Sequence, residues 1–202
     1  VPELITMFRS IADVVMPEDL RQYVKVPAIS TGRRQIVTAK PTAAFKRYQL
    51  VLDARIKAIE ERDRPPEPGD DILLSVITDG RHAAIDLRLV DPDNDNEPDN
   101  KLNKLIENSF RIWKETGDNT YLTREGKTFD LPGAAQMIFS DLGTINVEKT
   151  RGFSAYRWIR DELIRRGVPA SEIAFMQDYK KTEAKQRLFA DVNAGKVRFL
   201  IR

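Results

Sequence analysis

The chain has 202 residues, 41% of them hydrophobic, enough to furnish a core for one large domain or two small ones. Its 33 basic and 31 acidic residues nearly cancel, leaving +2, which excludes a uniformly basic nucleic-acid coat and an acidic disordered chain. The absence of cysteine and a single histidine, His82, exclude a disulfide framework, a thiolate metal site and a multi-histidine metal site. No apolar run reaches membrane-spanning length, and no secretory leader pattern opens the sequence, so the expected location is the cytoplasm.

Residues 2–24 read as short helical pieces, broken at Pro17 by its missing N–H. Arg34 to Ala39 is a short β-prone run around Ile36 and Val37. Pro41 and Thr42 open a long helix in which Phe45, Tyr48, Leu52, Ile56 and Ile59 recur every three or four residues and share one face. Pro65-Pro66 stop it. Residues 71–90 read as helical and apolar, with a turn near Asp79-Gly80. Residues 91–100 carry five acids, no base and two prolines, which makes them a surface loop. Their spaced acids superficially resemble a calcium loop, but Asn96 and Leu102 stand where that loop needs glycine and a bidentate glutamate.

Lys101 to Glu115 is amphipathic, with Leu102, Leu105, Ile106, Ile112 and Trp113 toward a core. Residues 117–133 are loop-like. The sequence Gly126-Lys127-Thr128 resembles the end of a phosphate-binding loop, yet Tyr121 replaces its first glycine and Pro132 and Gly133 forbid the helix that must follow. From residue 134 the rhythm changes. Ala134–Phe139 reads as a strand buried on both faces, residues 153–166 as a helix, Ile173–Met176 as a strand, residues 182–194 as a helix capped by Thr182, and Val197–Ile201 as a third strand. That alternation predicts α/β architecture with a parallel sheet and right-handed crossovers. Asp161-Glu162 sit mid-helix beside Arg160 and Arg165 and read as surface ion pairs. His82, Trp113 and Trp158 read as structural residues.

Charge is segregated. Residues 149–202 hold 13 basic and 6 acidic residues, net +7, and residues 1–148 hold 20 and 25, net −5. An anion-facing C-terminal part follows. Ligands of open parallel sheets gather at the carboxyl ends of strands, where Ser140 and Asp141 fall. Lys180, Lys181 and Lys185 surround a helix start, against the helix dipole unless an anion is present.

The segment from Ile173 to Ile201 resembles the second RecA-like lobe of superfamily-two helicases. Asp178, Lys185, Val192 and Gly195 fall at the family's spacing, with Asp in place of Gly and Lys in place of Arg. Leu4-Ile-Thr-Met-Phe8 followed by Asp13-Val-Val, and Arg34-Gln-Ile-Val37 running into Phe45-Lys-Arg-Tyr-Gln49, resemble the stretch that links the lobes in Swi/Snf-type helicase-like ATPases. Ile85-Asp-Leu-Arg-Leu89 and Lys101-Leu-Asn-Lys-Leu105 resemble the helices before the second lobe. The likeness is strongest to large phage- and plasmid-borne proteins, some fused to a methyltransferase. It implies a helical inter-lobe region over 1–116 and the first half of a three-layer α/β RecA-like lobe over 117–202, truncated within a core strand. It also implies weak DNA contact through residues 149–202, with Ser140, Asp141, Lys180, Lys181 and Lys185 facing the nucleic acid, and pairing with the remaining helicase lobe of the same parent chain. ATP and Mg²⁺ are implied for the parent alone; this chain by itself is expected to bind no cofactor and to turn over no ATP. The alternatives are a DNA-binding module without motor function and a protein-interaction module with a partial RecA-like fold.

Overall fold

The computed structural model describes residues 2–12, 19, 29, 31–123 and 125–202, and it divides into residues 1–37 and 38–202. In the first part, α1 (Pro2–Ile11) keeps Leu4, Met7, Phe8 and Ile11 exposed. The break expected at Pro17 and the Asp13-Val-Val stretch lie outside the described residues. Arg34 to Ala39, expected as a β-run, adopts no regular structure, because a strand needs a ladder partner and none of the described residues supplies one.

In the second part, the Thr42 hydroxyl accepts from the Phe45 N–H at 3.1 Å and opens α2 (Ala43–Glu60). Phe45, Tyr48, Leu52, Ile56 and Ile59 form its half-buried face, as their spacing requires. That face packs on α3 (Leu73–Ala83). The turn expected at Asp79-Gly80 is absent, since α3 runs through both residues. Arg55 of α2 donates to Asp71 at 2.5 and 2.9 Å and to Asp79 at 3.0 Å, while Arg151 takes the other Asp79 oxygen at 3.1 Å. These long-range bonds and the close approach of Leu52 to Gly80 outweigh the local turn preference. His82 is buried and donates from Nδ1 to the Thr78 carbonyl at 2.8 Å, a structural role.

The acidic loop is tied down from within. Arg88 grips buried Asp86 and reaches Asn96 of the loop at 3.1 Å. Asn100 caps α4 (Lys101–Glu115) through the Asn103 N–H at 2.8 Å. Leu102 and Ile106 of α4 enter the main core. Residues 117–123 and 125–133 form a loop in which, among the described residues, Leu122 bridges Thr128 antiparallel and no helix follows Lys127.

Three short strands follow: β1 (Gln136–Ile138), β2 (Ile173–Phe175) and β3 (Phe199–Ile201). They form one parallel sheet in the order β1-β3-β2, with Gln136 and Ile173 both opposite Phe199. After the single turn of α5 (Glu148–Arg151), α6 (Ala155–Arg165) connects β1 to β2, and α7 (Thr182–Asn193) connects β2 to β3. Alternation sorts the side chains. Ile138, Phe175, Phe199 and Ile201 pack with Leu102 and Ile106 of α4 and with Tyr156, Ile159 and Leu163 of α6. Ala174, Val197 and Leu200 pack with Leu188 and Val192 of α7 on the other face. The chain is therefore α/β, with helices on both faces of a parallel sheet.

Ala134–Phe139 departs from the expected doubly buried strand. Only 136–138 are paired, β1 is an edge, and Met137 and Phe139 are 58% and 66% exposed. The α7 cluster includes residues of β2 and β3 and none of β1. The cap of α7 also differs: Thr182 is its first residue, and Lys181 stands at the cap with no side-chain bond to the helix. At the other end Gly195 holds φ +80°, where a Cβ would lie 3.1 Å from Leu131.

Candidate nucleic-acid interface

In a parallel sheet all strands end on one side, so the segments after β1, β2 and β3 share an edge. Ser140 and Asp141 follow β1, Asp178 to Lys181 follow β2, and Arg202 follows β3. With β3 between them, β1 and β2 lie about 10 Å apart, two strand spacings.

The β1 end is rigid. The Ser140 N–H donates to the Arg202 carbonyl at 2.9 Å, and the Arg202 N–H donates to the Ile138 carbonyl at 2.8 Å. The Ser140 hydroxyl donates to the Leu142 carbonyl at 2.8 Å, and the Tyr156 hydroxyl donates to the Ser140 carbonyl at 2.7 Å. Gly143 then turns the chain at φ +72°, so close to α6 that a Cβ would stand 2.6 Å from that of Ala155. Its carbonyl accepts from the Tyr156 N–H at 3.2 Å and the Ser154 hydroxyl at 3.3 Å. The Ser140 hydroxyl is thus engaged in the turn, whereas the Asp141 carboxylate is exposed. Burial first, then the Asp141 carboxylate, push the Tyr156 hydroxyl above its usual pKa, and Arg202 pulls it the other way. Tyr156, Asp141 and Arg202 therefore form one electrostatic group.

The β2 end is basic. Lys180 and Lys181 are exposed, Lys185 is half-buried in the first turn of α7, and among the described residues none of the three forms an ion pair. The first backbone N–H groups of α7 have no side-chain cap, so the helix start is donor-rich, with Glu183 as the acid in its first turn beside the three lysines. Asp178 is exposed at the end of a single turn, where the helicase pattern has glycine, and it places a carboxylate two residues from the first lysine.

The sequence did not single out Arg81, Lys101 and Arg202 for this edge. Arg81 and Lys101 line a cleft of about 310 Å³ with Ala84, Ile85, Asp141 and Leu142. They sit on helical elements far from Asp141 in sequence, and only the packing brings them beside it. An adjoining cleft of about 250 Å³ shares Ala84, Ile85 and Lys101 but adds Asp86, Asp95 and Glu97. Asp86 is neutralised by Arg88, but Asp95 and Glu97 oppose phosphate and mark where the basic surface stops.

Two other arginines of this half are ion-paired. Arg157 pairs with Glu148 at 2.6 Å and Arg165 with Glu162 at 2.7 Å. The Trp113 indole donates to Glu172 at 2.7 Å, and Trp158 lies under Arg88, so neither ring is free to stack on a base. Among the described residues no three metal-ligating side chains converge, the acidic loop included. No described helix is long and apolar enough to cross a membrane. No family model, no curated protein and no solved structure matches the chain.

Proposed function

We propose that this chain is the DNA-facing part of a Swi/Snf-type helicase-like ATPase, contacting the duplex backbone at the carboxyl edge of its parallel sheet. The observation that carries the reading is the uncapped start of α7, with Lys180, Lys181 and Lys185 unpaired around it, on the same sheet edge as Asp141 and Arg202. Each ammonium and each free backbone N–H suits a phosphate oxygen, and such contacts position a protein on DNA without reading sequence. The Ser140 carbonyl and hydroxyl hold the β1 turn, and Asp141 bounds the basic track. In the parent, ATP hydrolysis by a lobe pair would move this edge along the duplex. The Gly126-Lys127-Thr128 segment sits in a hairpin turn and supports no phosphate cradle, so the chain alone is proposed to carry no ATP turnover.

Fluorescence anisotropy with a labelled duplex across a salt series tests this. The expected dissociation constant is on the order of 10⁻⁴–10⁻⁶ M, the range of non-specific binding. Replacing Lys180, Lys181 and Lys185 together by Ala should weaken binding equally for unrelated sequences. It should also reduce the salt slope by roughly one unit for each phosphate the protein no longer neutralises. An unchanged slope in the triple variant would mean that the lysines are only a solvated face.

A further inference from the structure

The outer side of α2 and α3 takes no part in the sheet edge. On α2, Lys46, Gln49, Leu50 and Asp53 follow the i, i+3, i+4, i+7 spacing of one helix face, and all four are exposed. With Val76, Ile77 and Gly80 of α3 they line a groove of about 410 Å³. Its centre exposes apolar side chains: Leu50 is 68% exposed and Ile77 50%, and Leu73 and Leu74 at the start of α3 are exposed as well. Among the described residues neither Lys46 nor Asp53 forms an ion pair, although Arg55, three residues from the groove's Leu52, is doubly engaged.

The charge order is self-complementary. The midpoint of residues 46 and 53 falls between Gln49 and Leu50. A two-fold axis at right angles to α2, passing outside its exposed face at that level, lays it antiparallel against its copy. That operation sets Lys46 opposite the partner subunit's Asp53 and Asp53 opposite the partner subunit's Lys46, and it brings the two Leu50 side chains together beside the grooves. An isologous interface needs this kind of pattern, because each patch must meet itself reversed. A parallel arrangement would set like charges against each other. An 18-residue α2 is about 27 Å long and an 11-residue α3 about 16 Å, so side by side they present roughly 430 Å² in projection, below the ~800 Å² of accessible surface per partner in a standard interface and in the range of a weak, concentration-dependent dimer.

We propose that the α2–α3 face is the interface of a symmetric dimer of this chain, held by apolar contact at Leu50 and Ile77 and set in register by two reciprocal Lys46–Asp53 pairs. The nucleic-acid reading plays no part in this: α3 contributes Ile77 and Gly80 to the groove and Arg81 to the cleft beside Asp141, so the two use different residues.

Sedimentation velocity over a concentration series tests it. The wild-type chain should dimerise with a dissociation constant on the order of 10⁻⁶ to 10⁻⁵ M. Lys46→Glu and Asp53→Lys, both on exposed positions, should each weaken self-association at least about tenfold, because each creates two like-charge contacts per dimer. Mixed one to one they should recover it. In the mixed dimer the introduced glutamate of one subunit faces the introduced lysine of the other, and the native Asp53 of the first faces the native Lys46 of the second. Leu50→Glu should give a monomer whose thermal unfolding matches that of the wild type below the dimer's dissociation constant and no longer rises with concentration. A wild-type chain that stays monomeric at about 10⁻⁴ M overturns the proposal. So does a dimer insensitive to both charge reversals, or one whose two reversal variants fail to recover association on mixing.

Discussion

Arg88 is the side chain that ties the acidic loop to the core, and its loss should be costly. Its guanidinium donates to Asp86 at 2.9 and 2.8 Å and to Asn96 at 3.1 Å, and it lies 4.5 Å from the centres of both the Phe153 and Trp158 rings. The Asp86 side chain is 1% exposed and that of Arg88 10%. Arg88→Ala leaves a buried carboxylate with only the residue-88 N–H and the Asn100 amide as donors. Breaking such a pair from one side costs about 3–5 kcal/mol, and desolvated ring contacts add up to about 2 kcal/mol, not additively. We expect about 4 kcal/mol, a large share of the roughly 5–15 kcal/mol that stabilises a typical domain. In urea, with a slope of about 2 kcal/mol per molar, the midpoint should fall by about 2 M. The double variant Asp86→Asn/Arg88→Leu should cost clearly less than the sum of its single variants, because no charge is then left unpaired, with a coupling of about 2 kcal/mol. A midpoint within about 0.3 M of wild type for Arg88→Ala, or zero coupling, would show that the sandwich does not hold the acidic loop to the core.

Two further outcomes follow from the β1 turn. Gly143→Ala meets both a positive φ and the Ala155 methyl, so it should destabilise by about 2–4 kcal/mol and lower the melting temperature by roughly 5–15 °C; a neutral substitution would contradict the close packing at this turn. Tyr156 should ionise above its ordinary value, and Asp141→Asn should lower that value in a spectrophotometric titration compared against Tyr156→Phe. The raised hydroxyl pKa means that its contribution is fully present below about pH 10 and is lost as pH climbs through the folded value, the sign for an acid held neutral by the fold. An Asp141→Asn titration identical to wild type would separate Asp141 from the Tyr156 group.

What could be read from the sequence was what local spacing controls. The Phe45-to-Ile59 stripe, the three apolar strands and Gly195 at a helix end all signal through neighbours a few residues away, and the apolar run also located Ser140 and Asp141 just beyond the end of β1. What could not be read depended on contacts between distant segments. Asp79-Gly80 is helical because Arg55 and Arg151 hold Asp79, 24 and 72 residues away. Phe139 is exposed because β1 became an edge, and strand order is invisible to periodicity. Arg88 gives no local sign that Phe153 and Trp158 will enclose it. Arg81 and Lys101 lie in ordinary helical patterns, and their place beside Asp141 follows only from how the helices pack against the sheet.

The central claim is that duplex DNA meets the carboxyl edge of the parallel sheet. Amide hydrogen exchange of the 202-residue chain, with and without saturating duplex at low salt, tests it most directly. Protection should concentrate at the β1 turn around Asp141 and Leu142 and at residues 178–185, with the first turn of α7 slowed most and α2 unchanged. Protection confined to other segments, or an exchange pattern unaltered by DNA, would contradict it.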